Sequence, residues 1–203
     1  MEYNQFDSEY YVMGIDEENS HPLLVLGQTD FGPFLKDAPI EEGELILPVP
    51  ILFAETYPEY FEIPDFFMLG AVFAGSGKLK NIFEQLRVYG VQFIPVEMSS
   101  DVRKKLSGDY YAIHFWNRLR AVDKDNYSGG EPNMYGRIHD LSRFSLEEKI
   151  LNPIHPRRRL AFVLEENAIL LIVHENVCNA LTEAGLSGIS FCRIDKWESA
   201  RTL

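Results

Sequence analysis

Residues 188–195 read GISFCRID, and residues 90–97 read GVQFIPVE. Both run glycine, β-branched residue, polar residue, phenylalanine, two variable positions, β-branched residue, acid. A helix pattern precedes each. Leu79, Ile82, Phe83 and Leu86 recur at the i, i+3, i+4, i+7 spacing of one helix face, behind Ser76 as N-cap. Gly90 stands where a left-handed residue ends such a helix. A shift of 98 residues lays Val177, Ala180, Leu181 and Ala184 on those four apolar positions. The same shift brings Gly188 onto Gly90 and Phe191 onto Phe93, with Gly185 closing the second helix. The matched positions are the apolar face of a helix, a turn glycine and the inward face of a strand, whereas outward positions differ, Gln92 against Ser190 and Pro95 against Arg193. The pattern is a helix–Gly–strand unit built twice, which is architecture and not a doubled active site.

Outward from these units the chain reads as strands. EYYVMGID (9–16), HPLLVLG (21–27) and LILPVPILF (45–53) carry the first third, where no helical period is visible before residue 75. Three prolines among residues 48–58 place the last of these at a sheet edge or in an irregular connection. DYYAIHFW (109–116) is a further strand, and LAFVLEENAILLIV (160–173) a β-hairpin turning near Glu166–Asn167. The turn formers of DKDNYSGGEPNMYG (123–136) predict a loop, and WESARTL a short tail. The expected fold is α+β, a mostly antiparallel sheet with few helices. One domain over 1–203 is expected, with an acidic, β-rich part at 1–74 and an α+β part at 75–203.

At 203 residues, 46% hydrophobic and 13% aromatic, the composition is globular. The longest run of apolar side chains, Ala168 to Val173, is far short of the roughly 18 residues a membrane helix needs. The acidic start MEYNQFDSEYY lacks the apolar segment of a secretory signal. Cys178 and Cys192 have no metal or redox spacing and read as reduced core residues of a cytoplasmic protein. The net charge of −12 is unevenly spread: residues 1–66 hold fifteen acids against Lys36, a net −14, and the rest of the chain is +2. Such a field repels nucleic acid and membrane phosphate and draws a basic partner inward.

No pattern compels catalysis, a metal or a cofactor. AGSGKLKN (74–81) lacks both the glycine five residues before Gly-Lys and the following Ser or Thr of a phosphate loop, so it reads as a small-residue helix start. His21, His114, His139, His155 and His174 are scattered, with no helical metal spacing. Glu97 and Asp195 merely end equivalent strands. In HPRRRL (155–160) the three arginines alternate if the chain is extended, and they suit an acidic loop of the same protein.

The helix LKNIFEQL leading to Pro95, Val96 and Glu97, the strand with Tyr110 and Tyr111 followed by Asp123, and the closing Leu186, Gly188 and Phe191 carry a resemblance. Over roughly residues 70–195 the chain resembles the eleventh numbered immunity-protein family of bacterial polymorphic toxin systems, formerly a domain of unknown function. His174 departs from the serine expected as N-cap of the second helix. The resemblance implies a small cytoplasmic α+β protein that binds a cognate toxin and protects its producer, with no catalytic residues and no cofactor.

Many such toxins act on nucleic acid and are basic, so the acidic third supplies the contact residues expected on this reading. These are Glu41, Glu42, Glu44, Glu59, Glu62 and Asp65, with Tyr57 and Tyr60 as aromatic anchors. An alternative is a small-molecule enzyme with its site near His114, Tyr110 and Asp109, which requires a pocket holding that histidine. A third is a module binding peptide at a sheet edge.

Overall fold

The computed structural model describes residues 1–16, 24–26, 51–55, 64–69, 72–98 and 108–199. Helix α1 (Gln5–Glu9) is followed by strands β1 (Tyr10–Ile15), β2 (Leu24–Leu26), β3 (Ile51–Glu55), β4 (Phe66–Leu69) and β5 (Val72–Ser76). Helix α2 (Gly77–Leu86) leads into β6 (Val91–Met98), β7 (Tyr110–Phe115), β8 (Arg118–Leu119), β9 (Val122–Gly129) and β10 (Leu141–Leu146). Then come α3 (Glu148–Leu151), β11 (Ala161–Leu164), β12 (Leu171–His174), α4 (Glu175–Glu183) and β13 (Ile189–Arg193). Two sheets have strand orders β13-β1-β12-β11-β8 and β2-β3-β6-β7-β5-β4, and β9 and β10 form a separate pair. Among the described residues all pairings are antiparallel except β11 with β8 and β3 with β6. The fold is α+β and dominated by antiparallel sheet.

The 98-residue repeat is real in three dimensions and larger than its sequence signature. Hairpin β4–β5 feeds α2 and β6, as hairpin β11–β12 feeds α4 and β13. In the first unit β7 inserts between β5 and β6, pairing Phe73 with Ile113 and Phe93 with Ile113. In the second, the inserted strand is β1 from the other end of the chain, and Met13 pairs with both Leu171 and Phe191. Leu171 and Phe191 are the 98-residue counterparts of Phe73 and Phe93, so the register is the same on both sides of the inserted strand. The inserted strands themselves correspond, EYYVMGI (9–15) to DYYAIHF (109–115), at an offset of 100. The N-terminal strand completes the C-terminal unit, and helices α2 and α4 pack against each other between them.

The helix ends show why the units match. Ser76 Oγ accepts the Leu79 N–H at 3.4 Å, and at the equivalent place His174 Nδ1 accepts the Asn176 N–H at 3.1 Å. At the C-terminus, the Arg87 N–H donates to Glu84 O and the Val88 N–H to Phe83 O, both at 3.0 Å. The Gly185 N–H to Thr182 O (3.0 Å) and the Leu186 N–H to Leu181 O (3.3 Å) repeat that pair of bonds. This is the double-bonded Schellman close, which needs one left-handed residue. In α4 it is Gly185 (φ 63°), as the sequence predicts, but in α2 it is Arg87 (φ 53°) and not Gly90. Gly90 (φ 75°) instead makes the turn into β6. An arginine held left-handed is strained relative to glycine. Arg87→Gly is therefore expected to raise stability by about 1 kcal/mol in chemical denaturation, with the m-value unchanged.

The five-stranded sheet is buried on both faces. Tyr10, Val12, Phe162, Leu164 and Ile172 point into one core with Phe6, Phe144, Leu146, Leu151 and Trp197. Met13, Val163, Leu171 and Val173 point into a second core with Leu79, Phe83, Val177 and Leu181 of the two helices. The period-2 alternation of strands thus serves two cores, which accounts for the apolar run at Leu170–Val173, whereas Ala168 and Ile169 ahead of it are exposed.

Several expectations are corrected. Residues 5–9 are helical, because Asn4 and Asp7 form a capping box. β3 (Ile51–Glu55) pairs with β2 on one side and β6 on the other and is no edge; Pro48, Pro50 and Pro58 lie outside the described residues. Residues 123–129 belong to β9, whose exposed, charged face resembles a loop in sequence. In α4, Cys178 is buried where Ala184 was expected; Ala184 is exposed and Ala180 half-buried. The tail is anchored by Trp197, 3% exposed and edge-on to Phe144 at 5.2 Å. Pro156–Arg159 is a 3-10 turn and not an extended strand.

Candidate functional site

Glu41, Glu42, Glu44, Tyr57, Glu59, Tyr60 and Glu62 lie outside the described residues. Asp65 is described, and its carboxylate joins the two units. Oδ1 accepts the Ser76 hydroxyl at 2.7 Å, and Oδ2 accepts the Ser187 N–H at 3.1 Å. The Asp65 backbone closes the joint, its carbonyl accepting the Ser76 N–H at 2.9 Å and its N–H donating to Ser187 Oγ at 3.1 Å. Ser76 in turn caps α2, so Asp65 orients a helix start and the turn ahead of β13 together.

The three residues of the enzymatic alternative separate. Tyr110 and His114 lie on one face of β7, 9% and 5% exposed, while Asp109 is exposed just before the strand. Burial, with the nearby Arg118 charge, lowers the His114 pKa to about 4, and burial raises that of Tyr110 to about 12. A packed, neutral imidazole in mid-sheet is poorly placed for proton transfer to a substrate, since a general base must reach the proton that it takes. Both thiols are raised by burial, Cys178 within α4 and Cys192 within β13, the reverse of an activated nucleophile. Among the described residues no three His, Cys, Asp or Glu side chains stand together as a metal site.

Two arginines of the basic cluster make contacts within the protein. Arg158 donates to Tyr89 Oη at 2.8 Å and lies over its ring at 4.5 Å, while Arg159 lies over the Phe6 ring at 4.8 Å. These aromatic contacts add to what the sequence reading anticipates, since a guanidinium stacks readily on a ring; residues 17–23, 27–50 and 56–63, where an acidic loop partner was expected, lie outside the described residues.

Two surface grooves and a few exposed apolar side chains stand out among the described residues. A groove of about 640 Å³ gathers Glu2, Asp123, Asp125, Glu147 and Glu148 around a single base, Lys149, with the exposed Met1 and Tyr3 also lining it. A second, more apolar groove of about 900 Å³ lies at the ends of β1 and β13, with Ile169, 73% exposed, in its wall. Met134 and Tyr135, in the β9–β10 connection, are 88% and 69% exposed. Sequence reasoning missed the first groove, although Asp123 and Asp125 at i, i+2 put two acids on one strand face.

No curated protein matches the chain significantly. A family model described as Immunity protein family (Imm11) matches residues 54–196, which spans the paired helix–turn–strand units, the Asp65 joint and both hairpins. With well over half of the chain matched, the protein belongs to the Imm11 immunity protein family.

Proposed function

We propose that this chain binds and neutralises a cognate toxin of a bacterial polymorphic toxin system, in the cytoplasm of the producing cell, as a stoichiometric inhibitor without turnover. The observation that carries the reading is the family match over residues 54–196. The packed His114 and the raised thiols favour occlusion over chemistry. No helix among the described residues is long and apolar enough to cross a membrane.

The acidic third, net −14, supports a basic toxin as partner and disfavours nucleic acid. We assign the contact to Glu41, Glu42, Glu44, Glu59 and Glu62 with Tyr57 and Tyr60. Asp65 lies at the edge of that set, its carboxylate engaged within the protein. Charge reversal at Glu41, Glu42 and Glu44 together is expected to slow association about tenfold at low salt. That difference shrinks as salt screens it, and dissociation changes little. Stopped-flow association across an ionic-strength series checks this, and an unchanged on-rate at low salt removes the acidic segment from the contact.

The function itself is tested by affinity capture of the tagged chain from its own cells. The expected result is one protein in stoichiometric yield that kills a host when expressed alone and is harmless when this chain is co-expressed. Capture of no such protein from cells expressing the neighbouring genes contradicts the reading.

A further inference from the structure

The two units are capped by chemically different groups at the same place, a hydroxyl at Ser76 and an imidazole at His174. A hydroxyl oxygen accepts an N–H at any ordinary pH. An imidazole nitrogen accepts only while it carries no proton, because a protonated Nδ1 is itself a donor facing the donor of Asn176. We propose that the N-terminus of α4 is a pH-sensitive joint, uncapped when His174 gains a proton, whereas the Ser76 hydroxyl at the equivalent place in α2 accepts its N–H whether or not a histidine is charged.

The surroundings of His174 define the switch. From α1, Glu9 Oε2 stands 4.0 Å from Nε2. From β1, the Tyr10 ring meets the imidazole edge-on at 5.0 Å. Arg159 approaches from the 3-10 turn, and Glu175 is the next residue in α4. The His174 N–H is tied to Leu160 O at 2.9 Å, so the backbone cannot follow the ring if it turns away. Burial is the largest influence and opposes protonation, Arg159 adds to it, and Glu175 and Glu9 oppose it in part, leaving the pKa below its ordinary 6.5. A folded-state pKa below the unfolded one means that the unfolded chain takes up the proton first. The contribution of His174 is therefore complete above about pH 6.5 and is lost as the pH falls below that value.

The consequence reaches beyond one turn, since Val177 and Leu181 of α4 lie in the core shared with α2 and β1. Loosening the first turn of α4 releases the layer where the N-terminal strand and the C-terminal unit meet.

Amide exchange followed by NMR between pH 7.5 and 5, corrected for the intrinsic pH dependence, tests the proposal. Protection at Asn176, whose N–H the imidazole accepts, is expected to fall about fivefold more than at Leu79, whose N–H Ser76 accepts in α2. His174→Ser, which copies the Ser76 cap, is expected to remove the difference. The ¹⁵N shift of His174 Nδ1 in the unmodified protein reads the same event without any substitution, and is expected to change in step with the Asn176 amide. Parallel loss of protection at both helices, or an Asn176 amide that ignores the His174 titration, overturns the proposal.

Discussion

Gly188→Ala is expected to destabilise the protein by about 3 kcal/mol or more, and Gly90→Ala by a comparable amount. Both glycines have left-handed backbones, φ 78° and 75°. That conformation alone disfavours alanine by roughly 1 kcal/mol. The larger effect is steric. A Cβ at 188 would overlap the Phe66 carbonyl oxygen and stand 2.5 Å from Pro64 Cβ. A Cβ at 90 would overlap Asn117 Cβ and stand 2.9 Å from Asn117 N. Neither neighbour is free to retreat. The Phe66 N–H is bonded to Ser187 O, and the Asn117 N–H to Gly90 O, so backbone meets backbone at both places. Gly185→Ala is the matched control: it is also left-handed (φ 63°), but nothing lies within 4 Å of its added Cβ. Its expected loss is only the conformational ~1 kcal/mol. Urea unfolding of the three variants separates close approach from backbone strain.

The second large effect is expected at Asp7→Ala, about 3 kcal/mol, read by the same unfolding curves. Asp7 is fully buried, and it accepts the Asn4 N–H at 2.8 Å, the Ser145 hydroxyl at 2.6 Å and the Leu146 N–H at 2.8 Å. Burial raises its pKa, although those three bonds oppose the shift. Removing the carboxylate strands two donors in β10, one of them backbone, and opens the box that starts α1. Leaving buried donors without acceptors typically costs ~1–3 kcal/mol each. Asp7→Asn keeps an acceptor oxygen at the site, and its loss is expected to be about half as large. Equal losses in the two variants would mean that packing, and not bonding, fixes Asp7.

The contrast between these sites shows what the sequence could reveal. Gly90 and Gly188 announced themselves because turn glycine, inward phenylalanine and helix stripe recur together at one offset. The inserted strands escaped notice although EYYVMGI and DYYAIHF are visibly alike. Their offset is 100 and not 98, and the strand that completes the second unit precedes both units in the chain, so the shift that aligns the units does not align these strands. The capping box at Asn4 and Asp7 was missed because a five-residue helix has too few apolar positions to show a period. Asp65 reads as a contact acid because residue type reports charge, and its bonds to serines 11 and 122 residues away are beyond the reach of local spacing. β9 reads as a loop because it exposes Lys124 and Asp125 and, among the described residues, pairs on one side only. A contact surface for a protein partner leaves the weakest trace of all, since binding needs no fixed residue spacing.

The measurement that bears most directly on the central claim is a titration of toxin activity with this chain, followed by recovery of the toxin. A stoichiometric inhibitor lowers activity linearly to zero at one equivalent, independent of preincubation time once binding is complete. The toxin separated from the complex under denaturing conditions then has its original mass and regains activity on refolding. Loss of activity at a small fraction of an equivalent, growing with time and leaving a toxin of altered mass, would contradict neutralisation by binding and establish turnover.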